Sequence, residues 1–385
     1  MFMEFRDLKK QYQNLKDNID AGVKEVIASA QFISGTQIEI LEKSLASYVG
    51  ARHCITCGNG TDAITIALLA WNIGSGDAVF VPDFTFFSTG ECPASIGATP
   101  IFVDVRKDTY NMDHEKLEEA IKQVISEGKY RPRVVVTVDL FGLPADYDSI
   151  RPICDKYGLL LLEDGAQGFG GELHGKRACS FGDISTTSFF PAKPLGCYGD
   201  PGALFTDDDN LNTLIRSICV HGKSGGDKYN NIRLGMNSRL DTLQAAILIP
   251  KLQAFQEYEL DEVNRVAKMY TELLSDACSE VKLPIIEKGY RSSWAQYTVR
   301  LPNNVDRDAI QKDMKSAGIP TMVYYAKPMH RQRAFANTDS AIAECPITEE
   351  LCKNVLCLPI HPYLSDIDCQ QVVDTMKKVL CSYTS

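Results

Sequence analysis

Apolar residues recur along this chain in two rhythms, and the rhythms alternate. Asp20 to Ser29 and Thr36 to Val49 carry apolar side chains at three- and four-residue spacing, with Gly35 and Gly50 as breaks, and read as amphipathic helices. Beyond residue 50, short apolar runs alternate with helical stretches. Strands are predicted at Cys54–Cys57, Ala78–Val81, Pro100–Val103, Arg133–Val138, 159–163, 184–190 and Ala203–Thr206. Helices are predicted between them at Thr61–Trp71, Phe87–Ile96, His114–Ser126 and Ser149–Tyr157. Such alternation predicts an α/β fold, a mostly parallel sheet covered by helices on both faces.

The rhythm changes after residue 220. Residues 221–237 are polar and Gly-rich and read as a long loop of the kind that carries function. Arg239 to Tyr258 reads as a long helix, kinked or divided at Pro250. Further helices follow, with a strand near Gln296–Leu301 and an amphipathic helix over Asp306–Ala317 that ends at Gly318. The expected division is a large domain over 1–255 and a smaller C-terminal α+β domain over 256–385. A chain of 385 residues is long enough for both.

Composition narrows the partners. The net charge is −10 and no Lys/Arg-rich run occurs, which argues against nucleic acid. No apolar stretch approaches a membrane span, and Met1 to Arg6 lacks the apolar core of a signal peptide, so a cytoplasmic location without membrane association is expected. The 13 cysteines are odd in number and show no framework spacing, which suits reduced thiols. His53-Cys54-Ile-Thr-Cys57 has no second C-x-x-C to complete a zinc site, so Cys54 and Cys57 read as buried and inert, and no metal is expected.

The chemistry gathers at predicted strand ends. A β-rich run stops at Pro191 and delivers Lys193 into a Gly/Pro-rich turn, Lys193-Pro-Leu-Gly196 running on to Gly199-Asp-Pro-Gly202. The apolar strand Leu159 to Glu163 delivers Asp164 at its own carboxyl end, where ligands of open α/β sheets collect. A lysine can hold an aldehyde as a Schiff base, and a carboxylate can keep a pyridine nitrogen protonated, so the pair suits pyridoxal phosphate. Gly58-Asn-Gly60-Thr61-Asp62-Ala63, between a strand and a helix, offers backbone amides and a hydroxyl to a phosphate, although a plain helix cap reads the same way. Ser188 could add a second hydroxyl. Phe86, near another strand end, could stack on a flat ring or simply pack in the core, and Gln167 lies three residues beyond Asp164, within reach of a ring substituent.

On these motifs the chain resembles the DegT/StrS sugar-nucleotide aminotransferases, which have the aspartate aminotransferase-like (type I) pyridoxal phosphate fold. The resemblance is carried by Asn59-Gly-Thr-Asp-Ala63, Phe84-Thr-Phe86, Glu163-Asp-Gly-Ala-Gln167, Ser188 to Gly202 and His221-Gly222. It continues through Asn237-Ser-Arg-Leu-Asp241, Gln244-Ala-Ala246 and Leu358-Pro-Ile-His-Pro362. It is nearest to members that aminate the 3-keto group of a UDP-2-acetamido uronic acid.

The resemblance implies Lys193 as Schiff-base lysine and proton shuttle, Asp164 at the pyridine nitrogen, Gln167 at the ring hydroxyl side and Phe86 stacked on the ring. Gly60, Thr61 and Ser188 would hold the phosphate, with Asn237 reaching it from the neighbouring subunit of a homodimer. L-Glutamate would be the amino donor and a keto sugar nucleotide the acceptor, with Arg239, Tyr324 and Tyr325 at the sugar. The chain departs from the family pattern at Asp139 (commonly His), Gly165 (commonly Ala), Pro201 (commonly Gly) and Tyr324 (His in uronate-handling members). A 4-keto-6-deoxy sugar linked to TDP or UDP is the alternative acceptor. Sugar dehydratases of this fold replace the lysine by histidine, and a noncatalytic regulator has no use for the lysine, the aspartate and the phosphate turn together.

Overall fold

The computed structural model describes residues 3–224 and 229–384. Residues 225–228 of the predicted loop lie outside them. In chain order the first half runs α1 (Leu8–Ser29), α2 (Thr36–Val49), β1 (His53–Cys57), α3 (Gly60–Ala70), β2 (Asp77–Pro82), α4 (Ser88–Ser95), β3 (Thr99–Val103), α5 (His114–Glu127), β4 (Arg131–Val138), α6 (Tyr147–Tyr157) and β5 (Leu160–Asp164). A small hairpin, β6 (Glu172–Leu173) and β7 (Lys176–Arg177), precedes β8 (Ile184–Ser188), β9 (Gly202–Thr206), α7 (Asp209–Ile218) and α8 (Thr242–Ala254). The remainder is α9 (Leu260–Ala277), β10 (Tyr290–Arg291), β11 (Tyr297–Arg300), α10 (Arg307–Ser316), α11 (Pro346–Asn354), β12 (Val355–Leu358) and α12 (Asp366–Thr384).

Seven strands form one sheet in the order β1-β9-β8-β5-β4-β2-β3. The pairings from β8 through β5, β4 and β2 to β3 are parallel, and β9 runs antiparallel to both β8 and β1. Two reversals restore direction, so β1 points the same way as β8. The carboxyl ends of β1, β2, β4, β5 and β8 therefore share one edge of the sheet. Strand alternation divides the side chains between two layers. Val79, Val81, Val136 and Leu162 pack with α3 and α7 through residues such as Ile66 and Ile218. Phe80, Val135 and Leu161 pack with α5 and α6 through Ile121 and Ile150.

Several predicted boundaries shift for local reasons. The first helix begins at Leu8, because Asp7 caps it by accepting from Lys10 N, although its first turn is too polar to show an apolar face. The strand predicted over 184–190 ends at Ser188. The helix predicted from Arg239 begins at Thr242, and Asp241 before it bridges to Ile33. Pro250 does not divide this helix; the break comes at a π-helical turn over Phe255–Glu259. The carbonyl of Ala246, which Pro250 cannot pair with, faces α1, where a Cβ on Gly22 would stand 3.2 Å from its oxygen.

Candidate active site

Register along the sheet edge assembles the site. Cys57 of β1 pairs with Gly202 of β9, and Gly202 pairs with Ser188 of β8. The turn after β1 and the last residue of β8 thus lie one strand apart. Gly60 must be glycine here, since a Cβ would stand 2.8 Å from Ser188 Cβ. Asn59 caps α3 by accepting from Asp62 N at 2.7 Å, so among the described residues the Gly60 and Thr61 amides remain as the unused donors of the helix end. Ser238, from the far end of the 221–237 loop, locks this turn. Its Oγ accepts from Gly58 N at 2.8 Å and donates to Asp62 Oδ2 at 2.6 Å. A small anion cradle results, with the α3 dipole behind it.

Asp164, at the end of β5, is buried. Its Oδ2 accepts from Thr89 Oγ1 at 3.0 Å and its Oδ1 from Ala166 N at 3.2 Å, and no ion pair reaches it among the described residues. Burial pushes its pKa up, while the Lys193 charge and these two donors pull it down. A buried carboxylate held this way asks for a cationic partner. Lys193 is half-buried, and desolvation lowers its pKa against the opposing pull of Asp164. Carboxylate and amine therefore act on one another across a desolvated space.

Aromatic and amide groups line the rest. Gln167 is buried; its Oε1 accepts from Phe141 N at 2.8 Å and its Nε2 donates to Tyr325 Oη at 2.9 Å. Tyr325 meets Phe84 edge-on at 6.0 Å and Phe86 at 6.4 Å between ring centroids. Phe86 is 54 % exposed, which leaves a ring face available to a ligand. Tyr324 stands beside Tyr325. Asp83 ties this wall to β2: its carboxylate accepts from His330 N at 2.8 Å and pairs with His330 Nδ1 at 2.7 Å, and its carbonyl accepts from Met329 N at 3.0 Å.

The predicted site residues divide accordingly. Gly60, Thr61, Ser188, Asp164, Lys193, Gln167, Phe86 and Tyr325 come from the strand-end edge and the wall beside it. Asn237 and Arg239 are exposed on this chain, and Arg239 precedes α8 instead of starting it. Cys54 and Cys57 are buried, and burial pushes both thiols far up, away from reactivity. Pro201 is accommodated because its carbonyl, not its missing N–H, is used: it accepts from Phe189 N at 2.7 Å. Asp139 is buried against Glu163 behind Asp164, with Tyr147 Oη donating to it at 2.7 Å. The pattern alone did not single out Ser238 or the Asp164 contact of Thr89.

A lysine amine opposite a buried carboxylate, beside an anion cradle and an exposed aromatic face, fits pyridoxal phosphate and defines a pyridoxal phosphate-dependent aminotransferase of the type I fold. Residues 13–377 match the DegT/DnrJ/EryC1/StrS aminotransferase family, and the chain belongs to it. It is 45% identical over 362 residues to a UDP-2-acetamido-2-deoxy-3-oxo-D-glucuronate aminotransferase of Pseudomonas aeruginosa, covering 94% of this chain and 96% of that one. A pleiotropic regulatory protein of Geobacillus stearothermophilus is 40% identical, covering 96% of each chain. A UDP-N-acetyl-3-dehydro-α-D-glucosamine 3-aminotransferase of Acidithiobacillus ferrooxidans is 37% identical, covering 97% of each. The crystal structure of a DegT/DnrJ/EryC1/StrS aminotransferase from Brucella abortus superposes with a TM-score of 0.94 at 42% identity over the whole of both chains.

Proposed function

We propose that the chain transfers the amino group of L-glutamate to a UDP-linked 3-keto hexose or hexuronate carrying an N-acetyl group at the neighbouring carbon. The observation that carries the chemistry is the Asp164–Lys193 pair beside the Gly60–Ser188 cradle. The sugar is supported by the two relatives named for 3-keto UDP-sugars.

In this reading, Gly60 N, Thr61 and Ser188 hold the cofactor phosphate. Asp164 faces the pyridine nitrogen, Gln167 reaches the ring hydroxyl side, and Phe86 covers one ring face. The bound cofactor supplies an electron sink for a carbanion at the carbon that loses or gains the amino group. Lys193 moves the proton at that carbon. Burial lowers its pKa, which favours the unprotonated amine that can accept, and general acid–base transfer of this kind contributes roughly 10²–10⁴-fold. Thr89 and Ala166 N oppose the effect of burial on Asp164 and favour the ionised carboxylate. Arg239 and Tyr324 meet the sugar.

The same reading makes the enzyme a homodimer with shared sites. Tyr229, Ile232 and Leu234 are 83 %, 55 % and 96 % exposed in the loop that carries Asn237, an apolar face suited to a second copy and to bringing Asn237 to that copy's phosphate. No described helix is long and apolar enough to cross a membrane. Among the described residues the cysteines are free, which suits the reducing cytoplasm where we place the enzyme. The large domain would end near the π-helical turn at 255–259. The test is mass spectrometry of products from a panel of 3-keto and 4-keto UDP- and TDP-sugars with glutamate. Amination of the 3-keto UDP-sugars in preference to the others is expected. Preference for a 4-keto-6-deoxy sugar would reject the substrate assignment and leave the transfer chemistry standing.

A further inference from the structure

We propose that Arg6 is a positioning residue for Lys193: it fixes the turn that carries the lysine and places a positive charge behind its amine. The proposal rests on the reading of Lys193 as the cofactor lysine. Arg6 precedes the cap of α1, and its Nη2 donates to Pro194 O at 3.1 Å, across a sequence separation of 188. Pro194 directly follows the lysine, so the guanidinium grips the peptide next to the Lys193 backbone.

The guanidinium has no carboxylate within ion-pair distance among the described residues. The acid that acts on it is Glu259 of the π-helical turn, which is already engaged. Glu259 Oε1 and Oε2 accept from Gln11 Nε2 at 2.9 and 3.1 Å, and Tyr363 Oη donates to Oε1. Two further bases face the same ground. Lys251 of α8 is fully buried, its Nζ has no hydrogen-bond partner among the described residues, and it lies 4.7 Å from the centre of the Tyr198 ring. His361, after β12, is also buried. The titratable groups around the 193–198 turn are the bases Arg6, Lys193, Lys251 and His361, the acids Asp7, Asp20, Asp164, Asp200, Glu259 and Asp368, the Cys197 thiol, and the phenols of Tyr12, Tyr198 and Tyr363.

Burial is the largest influence on each of the four bases, and neighbouring charges modify it. Burial lowers Arg6 to about 10 and Lys251 to about 8, opposed by Glu259 in both cases. Burial takes His361 down to about 4, and the Arg6 charge adds to the fall. For Lys193, burial comes first, Asp164 opposes it, and Arg6 pushes in the same direction as burial. A neighbouring cation is a known way to free a lysine of its proton so that it can act as nucleophile or base. An apolar side chain could fill the Arg6 position without the cost of burying a charge. What it could not supply is the charge and the grip on Pro194.

The experiment uses the full chain freed of cofactor and follows the rate of covalent capture of added pyridoxal phosphate against pH. Capture joins Nζ to the aldehyde carbon and releases water, so it needs the unprotonated amine. Arg6→Met should capture roughly two- to fivefold more slowly at neutral pH, the scale of one partly screened charge, with its profile displaced to higher pH. Arg6→Lys, which keeps the charge, should hold the native profile. An unchanged profile in Arg6→Met overturns the proposal, as does an equal displacement in Arg6→Lys, which would trace the effect to packing. Should Arg6→Met not fold, Arg6→Gln, neutral but still able to donate to Pro194 O, is read by the same two criteria. Lys193→Ala separates the underlying reading: covalent capture by that variant would reject Lys193 itself, whatever the Arg6 variants do.

Discussion

Thr89 offers the sharpest test of how the chain tunes its site. The residue is fully buried, and its hydroxyl lies 3.0 Å from Asp164 Oδ2 and 3.1 Å from Thr85 Oγ1. Thr89→Val keeps the branched shape and removes the donor. A hydrogen bond to a charged group contributes about 1.5–3 kcal/mol, or roughly ten- to a hundredfold in an equilibrium or rate. Asp164 retains Ala166 N at 3.2 Å, which points to the lower end, about tenfold. The sign in pH follows from the same contact. Burial raises the Asp164 pKa and the Thr89 hydroxyl lowers it, so losing the hydroxyl raises it further. The carboxylate then stays protonated to higher pH, and the acid limb of the glutamate half-reaction moves to higher pH. Stopped-flow absorbance against pH measures both effects, with thermal melting as a control for folding. A half-reaction within twofold of native and an unmoved acid limb, while Asp164→Asn abolishes the reaction, would refute the reasoning.

Three other perturbations read separate parts of the site. Gly60→Ala places a Cβ 2.8 Å from Ser188 Cβ, so the two strand ends must shift apart: the melting temperature of the cofactor-free protein should fall, and pyridoxal phosphate affinity should fall about tenfold, the loss of one charge-assisted hydrogen bond; unchanged affinity counts against the cradle. Burial and Glu163 hold the Asp139 carboxyl well above the ordinary carboxylate range, so its contribution to stability is full below about pH 4 and is lost as pH rises through the folded value. Asp139→Asn, whose amide can donate to Glu163 at any pH, should therefore flatten the alkaline side of the stability curve in chemical denaturation; an unaltered curve contradicts the shared-proton pair. Mixing inactive Lys193→Ala and Asn237→Asp chains should restore partial activity through the one composite site with both native residues, whereas a fully active monomer rules out shared sites.

Much of the site was readable in the sequence because strand ends are local features. Asp164 ends the Leu-rich strand β5 and Lys193 lies five residues beyond the end of β8, and because these two strands pair in parallel both residues fall at the same edge of the sheet. Contacts set by tertiary approach were not readable. Thr89 lies 75 residues from Asp164, Ser238 lies 176 from Asp62, and Arg6 lies 188 from Pro194. No periodicity or turn rule links these pairs. The antiparallel return of β9 between β8 and β1 was equally hidden, yet it is what brings Ser188 to Gly60. Helix starts were missed where a cap or a polar first turn carries no apolar rhythm, as at Leu8. Pro250 misled because a proline rule that holds for hydrogen bonds does not by itself say where a helix ends.

The claim on which the account turns is the identity of the cofactor lysine. The measurement is borohydride reduction of the enzyme with its cofactor bound, followed by proteolysis and mass spectrometry of the labelled peptide. Among the described residues two buried or half-buried lysines of lowered pKa lie near the same turn, Lys193 and, at about 8, Lys251. Of these two it is Lys193 on which Asp164 acts, so the pyridoxyl label is expected on Lys193 and should disappear in Lys193→Ala. A label on Lys251, or one that survives in Lys193→Ala, would contradict the account.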